Sequence, residues 1–362
     1  MIKCNLDIYF FVHFDKKSTK EITGYEIREE KMAITIKDVA KASNVSVATV
    51  SRVLNKHSNV SDETVEKVTR VMEELGYNPN TLGRDLRKSE TKRILAIISD
   101  AGQSFYGDVL KGMDEAAFSL GYDILIATTH DNPEHEMHLL KMLMSHSVDG
   151  AVLLGVKQES STMTKLAENY NVALCLERQE GTNALTVSID NVKAGRDAVN
   201  YLIEKGHKRV GLITTKTRSQ SSVDREKGYR LALEENNIPF DEKLVFYGNY
   251  DPESGTRGCK HLLELEEPPT AIFSISDMIA IGAMNHAISK GIKIGKDLLF
   301  FGFDNIAYSH IFVPHLSTVE QPCYMQGKLV IEKLVSNMKS DVPDKGIYLL
   351  PHSLVLREST GD

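Results

Sequence analysis

The stretch Thr35–Asn55, TIKDVAKASNVSVATVSRVLN, decides how the first part of the chain folds. Thr35 is a good helix N-cap, and Asp38 three residues on can reach back to complete a capping box. Val39, Ala40, Val45 and Val50 place small apolar side chains on the inward side of two short helices. Ser43-Asn44-Val45-Ser46 is the corner between them: asparagine tolerates a left-handed backbone and Ser46 can cap the second helix. Such a pair is either an ordinary αα-hairpin or a helix-turn-helix, whose second helix enters a DNA major groove by its N-terminal end. That helix opens with Val47, Ala48 and Thr49 and carries Ser51, Arg52 and Asn55, small or hydrogen-bonding as an approach to base edges requires.

A third helix follows. Ser61-Asp62-Glu63-Thr64 gives it a cap and two acids at its positive end. Val65, Val68, Val71, Met72 and Leu75 form its apolar stripe, and Gly76 stops it. Then come Tyr77-Asn78-Pro79-Asn80 and a polar, basic segment, TLGRDLRKSETKR. The motifs TIKDVAKASNVSVATVSRVLN, LGYNPN and the segment ending in Leu86-Arg87-Lys88 resemble the DNA-binding headpiece and hinge of the LacI/GalR repressors. The resemblance implies DNA contacts from Thr35, Ser46, Val47, Ala48, Thr49, Ser51, Arg52, Asn55, Asn59, Tyr77, Leu86 and Arg87. Val47, Ala48 and Arg52 are the expected base readers, Arg52 as a bidentate partner of guanine. Paired hinge helices of a dimer would push Leu86 between base steps of the minor groove. The alternative is that Leu86 packs on the core; Gly83 loosens a hinge helix and Asp85 repels phosphate.

At 362 residues the chain is long enough for two or three domains, and its 41% hydrophobic and 26% charged content is that of a soluble globular protein. A net charge of −7 argues against indiscriminate nucleic-acid binding, so its distribution matters. Residues 32–93 hold 11 Lys/Arg against 8 Asp/Glu, a net of +3, leaving −10 on residues 94–362. A modestly basic head on an acidic body suits one DNA-facing module. The four cysteines, Cys4, Cys175, Cys259 and Cys323, form no CxxC pair and read as free thiols in a reducing cytoplasm. No apolar run approaches the roughly 20 residues of a membrane helix. In residues 1–31 the run Ile8–Phe14 is short and spoiled as a signal core by Asp7 and His13. Family members begin near the equivalent of Met32, and Arg28–Lys31 can be encoded by purine-rich codons, as a ribosome-binding site would be. Translation is therefore expected to start at Met32; the alternative is a genuine, loosely packed extension.

From residue 92 short apolar runs alternate with amphipathic segments. Strands are expected at 94–99, 123–128, 150–155, 173–177, 185–189, 209–214, 244–247, 271–275 and 298–303, with helices such as 106–120, 192–205 and 223–236 between them. A crossing segment at 316–321 leads to a helix and a terminal strand at 353–357. The expected fold is thus an N-terminal all-α helix-turn-helix headpiece plus an α/β core of two doubly wound parallel-sheet subdomains, which resembles the periplasmic-binding-protein fold. The expected organisation is extension 1–31, headpiece 32–79, hinge 80–91 and core 92–362. Within the core, one subdomain takes about 92–190 and 319–349, the other about 191–318 and 350–358.

In such folds ligands sit at the carboxyl ends of strands. Polar and aromatic candidates stand there: Phe105, Tyr106, Glu177, Arg178, Asp190, Arg225, Ser276 and Asp304. Arginine and carboxylates suit the hydroxyl pairs of a sugar and aromatics its C–H face. The resemblance places Arg225, in an RxxG context, and Asp304, in GFDN, firmly among effector contacts, with Ser276, Glu177 and Asp190 beside them. Glu177 stands where family members more often carry aspartate. Asp277 reads as the cap of the following helix, and Phe105 and Tyr106 equally as core aromatics closing the cleft.

Enzyme readings fail. Gly102–Gly107 has phosphate-loop spacing, but Asp108 replaces the required lysine, and there is no GxSxG. His130, His135, Glu136 and His138 do not make HExxH and read as the solvated face of a helix; no metal or cofactor is expected. The resemblance implies a cytoplasmic homodimeric repressor on a near-palindromic double-stranded operator, controlled by a sugar or sugar phosphate. Effector binding would change cleft closure and so the spacing of the hinges. The alternatives are a regulator with a phosphorylated carrier protein as corepressor, or a sugar-binding module without DNA binding. Val330 stands where the former present an arginine, and the intact helix pair argues against the latter.

Overall fold

The computed structural model describes residues 34–54, 59–77, 90–217 and 219–362. The chain divides into two units, residues 1–84 and 85–362. Asn55, Leu86, Arg87 and the hinge expected at 80–91, apart from its last two residues, lie outside the described residues.

The first unit holds three helices, α1 (Ile36–Ala42), α2 (Val47–Leu54) and α3 (Asp62–Leu75). Asp38 accepts from the backbone N–H of Thr35 at 2.8 Å and from its hydroxyl at 2.7 Å, fastening the start of α1. Asn44 takes the left-handed turn at φ 49, and Ser46 Oγ accepts the Thr49 N–H at 3.1 Å to cap α2. Gly76 ends α3 at φ 63, where a side chain would be strained. Val39, Ala40, Val50, Val53, Val68 and Val71 form one small core, flanked by Val45, Val65, Met72 and Leu75.

The second unit is built on two six-stranded sheets. The first contains β1 (Arg93–Ile98), β2 (Asp123–Thr128), β3 (Gly150–Leu153), β4 (Val172–Cys175), β5 (Leu185–Ile189) and β11 (Ile347–Leu350), in the order β11-β5-β4-β3-β1-β2, all parallel. The second contains β6 (Val210–Thr215), β7 (Val245–Gly248), β8 (Ala271–Ser274), β9 (Leu299–Asp304), β10 (Ser317–Glu320) and β12 (Ser353–Val355), in the order β12-β10-β9-β8-β6-β7. Only β12 runs antiparallel, against β10. Between the strands come α4 (Tyr106–Leu120), α5 (Pro133–Met144), α6 (Ser160–Asn169), α7 (Asn191–Glu204), α8 (Gln220–Glu235), α9 (Pro252–Leu263), α10 (Asp277–Ser289) and α11 (Cys323–Met338).

Central strands such as β3, β4, β8 and β9 are buried along their whole length, because helices cover both faces of a parallel sheet. Two expectations need correcting. The crossing segment read at 316–321 is β10 and lies in the second sheet, so the chain returns to the first subdomain after Glu320 rather than at 319. The strand β11, absent from the sequence reading, closes the first sheet beside β5. No described helix is long and apolar enough to cross a membrane.

Candidate DNA-reading face and ligand cleft

On the first unit, α2 turns Val50 and Val53 into the core and leaves Ser46, Val47, Ala48 and Arg52 exposed. Thr49 and Ser51 are half-buried on the same helix, Asn59 and Thr35 are exposed, and Tyr77 packs half-buried against the core. The exposed residues at the start of α2 are thus short, with one long cation following them. Such a surface fits a major groove, where a bulky first turn would hold the helix away from the bases.

On the second unit, the carboxyl ends of β1, β3, β4, β6 and β7 surround a cavity of about 300 Å³. Its wall includes Phe105, Tyr106, Glu177, Arg225, Tyr250 and Gln321. On its wall Leu176 (φ 71) and Asp131 (φ 57) have positive φ without being glycine, as does Asp304 (φ 113), whose carboxylate meets the lining residues Tyr250 and Gln321.

Arg225 is 5% exposed. Its Nε donates to Asn191 Oδ1 at 2.9 Å, and one terminal nitrogen donates to the Ile275 carbonyl at 2.6 Å and lies 3.5 Å from Asp304 Oδ1. The guanidinium stacks 3.6 Å from the Phe303 ring centroid, an attraction of cation and π-face. The RxxG context has a packing cause. A Cβ on Gly228 would lie 2.3 Å from the Val192 carbonyl, and one on Gly195 2.7 Å from that of Arg225. Only bare glycines let α7 and α8 approach closely enough to hold Arg225 against Asn191.

The GFDN context is explained alike. Gly302 leaves room for the Asp277 carboxylate, which a Cβ would meet at 2.3 Å. Asp304 then ends β9 with its carboxylate against Gln321 Nε2 (2.7 Å), Tyr250 Oη (3.4 Å) and Arg225. Burial lifts its carboxyl to about 6, although Arg225 and the Gln321 amide beside it pull downward. Glu177, also buried, accepts the backbone N–H of Ser221 at 3.1 Å, and burial raises its carboxyl above the ordinary range. Tyr106 hydrogen-bonds Ser99 Oγ at 3.0 Å, its ring against Phe105 at 4.2 Å; burial pushes its hydroxyl up to about 12. Both aromatics serve core and cavity at once.

Other expected site residues sit elsewhere. Ser276, expected as an effector contact, caps α10 by accepting the Ile279 N–H at 3.3 Å, while Asp277, expected as that cap, is fully buried. Asp277 takes Thr318 Oγ1 at 2.5 Å and the Ile306 N–H at 2.9 Å; burial and the nearby Asp304 raise its carboxyl well above the usual range. Asp190 is exposed and caps α7 through the Lys193 N–H at 2.9 Å. Arg178 pairs with Asp224 at 3.1 Å and with Glu180, outside the cavity wall. Glu136, expected on a solvated face, is buried and accepts the backbone N–H groups of Lys157 and Gln158 at 3.0 Å each. Among the described residues no group of three or more His, Cys, Asp or Glu is placed to hold a metal ion. Asn191, Tyr250 and Gln321 escaped the sequence reading; each follows a strand end, the only signal available for them.

Residues 35–80 match the family model described as bacterial regulatory proteins, lacI family, and residues 91–352 match periplasmic binding proteins and sugar binding domain of LacI family. Catabolite control protein A of Priestia megaterium is 34% identical over 331 residues, covering 91% of this chain and 100% of that protein. The HTH-type transcriptional repressor CytR of Escherichia coli (strain K12) is 34% identical over 336 residues, covering 92% and 98%. Among solved structures, the Lac repressor dimer bound to operator and the anti-inducer ONPF superposes with TM-score 0.83 at 25% identity, covering 91% of this chain and 99% of that one. The transcriptional regulator CelR–cellobiose complex gives 0.70 at 28%, covering 90% and 99%. The chain belongs to the LacI family of bacterial regulatory proteins. It is a DNA-binding transcriptional regulator with a sugar-binding type of core.

Proposed function

We propose that this chain is a homodimeric, sequence-specific repressor that reads a near-palindromic operator through α2 and changes its affinity when a carbohydrate fills the cavity at Arg225. The observation carrying this reading is the buried Arg225–Asp304–Gln321–Tyr250 cluster on that cavity, a set of donors and acceptors beside aromatic faces such as a sugar requires. The cellobiose held by the CelR neighbour supports the ligand class. Thr35, Ser46, Val47, Ala48, Thr49, Ser51, Arg52, Asn59 and Tyr77 are the proposed DNA contacts, with Asn55, Leu86 and Arg87 completing them. In this reading the chain works in the cytoplasm and carries out no chemistry; the ligand acts by binding alone. Val330 is fully buried, so its own side chain presents nothing to a carrier-protein corepressor. Gel shifts on a duplex selected from a random library, with and without a panel of sugars, test the proposal. A sugar that changes the shift supports it; a binding isotherm indifferent to every sugar removes the effector half.

A further inference from the structure

At the amino end of the first sheet, opposite the ligand cavity along β1 and β3, one carboxylate gathers the start of the core. Asp149 directly precedes β3, and its main chain is fixed on both sides. Its N–H donates to the Arg93 carbonyl at 2.8 Å, and its own carbonyl accepts Asn171 Nδ2 at 3.0 Å. Its side chain reaches residues 58 positions earlier. Oδ1 accepts the Thr91 N–H at 2.7 Å and the Thr91 hydroxyl at 2.8 Å, while Oδ2 accepts the Lys92 N–H at 2.9 Å. Lys92 takes φ 59, a left-handed backbone that a lysine adopts only where its surroundings impose it. The far side of Lys92 is held too. Its carbonyl accepts the Asp123 N–H at 2.8 Å, and its Nζ lies 2.7 Å from Glu90 and 4.6 Å from the Tyr122 ring centroid.

Thr91 is the last residue of the expected hinge, and within one chain the DNA-reading unit is joined covalently to the core only through the segment ending there. An aspartate before a strand commonly bonds the turn it stands on. Among the described residues, every donor to the Asp149 carboxylate instead belongs to Thr91 or Lys92. We propose that Asp149 is a positioning residue for DNA binding, a clamp that fixes where the hinge leaves the core and so sets the spacing of the two DNA-reading units in a dimer. The inference rests on the reading of the chain as a dimer on two half-sites. Once one unit is bound, the second binds at an effective concentration set by its tether, and slack at the tether's root lowers it. A single unit on a single half-site needs no such spacing.

Fluorescence anisotropy of the full chain tests this on three labelled duplexes: the one selected from a random library, the same duplex with one half scrambled, and a fully scrambled one. Asp149→Ala is expected to bind the intact site roughly tenfold more weakly, and the other two duplexes within about twofold of wild type. Asp149→Asn keeps the shape but loses the acceptor facing the Lys92 N–H, so it falls between the two and serves if the alanine variant fails to fold. Val148→Ala controls for stability alone. Val148 is 1% exposed in the core next to Asp149, so its truncation lowers the urea midpoint while all three affinities stay. Equal losses on all three duplexes in the Asp149 variants, or the same loss on the intact site in Val148→Ala, make Asp149 a brace of the fold and overturn the proposal. Wild-type affinity of the Asp149 variants for the intact site overturns it too, and leaves the two-half-site reading standing. A wild type that binds intact and half-scrambled duplexes alike overturns both.

Discussion

Arg52 stands exposed on α2 one turn beyond Ala48, and a guanidinium there can address two acceptors of one guanine. Arg52→Ala is expected to cost roughly 1–3 kcal/mol on the selected duplex and to relax preference at one base step, with little change on scrambled DNA. Fluorescence anisotropy on both duplexes checks this; equal losses would make Arg52 a phosphate contact. Asp304 carries a pH signature. Its native carboxyl is raised to about 6 from an ordinary value near 3.8, so the folded chain holds this proton more readily than the unfolded one. This group's contribution to stability is therefore fully present below pH 4 and is lost as pH rises through about 6. Urea titrations of wild type and Asp304→Asn at pH 4.5 and 7 should show that difference shrinking in the variant. Which residues stood near a cleft was legible from strand ends, but the inward choice was not. The cap falls to Ser276 rather than Asp277, because Asp277 is held inside by Thr318 and Ile306, 41 and 29 positions away. Gln321 was hidden for the same reason, its partner Asp304 lying 17 positions back.

Helices and strands were legible wherever local pattern and burial agree. The caps at Thr35, Ser46, Ser61 and Gly76 depend on neighbours within a few residues, and α1, α2 and α3 start and stop there. β11 failed because it is an edge strand with alternate residues exposed, following the polar run Ser340–Gly346. Ser46→Ala removes the cap of α2 and should cost about 1 kcal/mol, seen as an earlier unfolding transition of the headpiece. Contacts between helices were illegible altogether. α4 and α11 cross so closely that a Cβ on Gly327 would lie 2.0 Å from the Val109 carbonyl, and one on Gly112 2.1 Å from that of Tyr324. Gly327→Ala should force the helices apart and cost about 1–3 kcal/mol, read from the denaturant midpoint of the core. An unchanged midpoint would mean that this crossing has slack.

Across the core, the two sheets are joined by chain crossings and by side chains spanning the cleft. Glu177 and Arg178 follow β4 of the first sheet, and they grip Ser221 and Asp224 at the start of α8, which packs on the second. The Arg178 side chain is 38% exposed, so solvent screening limits its pair to at most about 1 kcal/mol. Arg178→Ala should accordingly weaken a cleft-closing ligand by up to about fivefold, measured by calorimetry, without abolishing binding. The layered two-sheet architecture was legible from alternating apolar runs, whereas these cross-cleft pairs join residues more than 40 positions apart and left no trace in any local pattern. If ligand and operator are coupled through the core, a sugar that lowers operator affinity by some factor must itself bind more weakly by that factor on the operator complex. The decisive measurement is a competition titration of the full chain on its selected duplex against scrambled duplex, at one fixed salt concentration, with and without the sugar. The expected result is a preference of at least about a thousandfold for the selected duplex that the sugar alters while binding to scrambled DNA stays put. Equal affinity for both duplexes, whatever sugar is present, would contradict it.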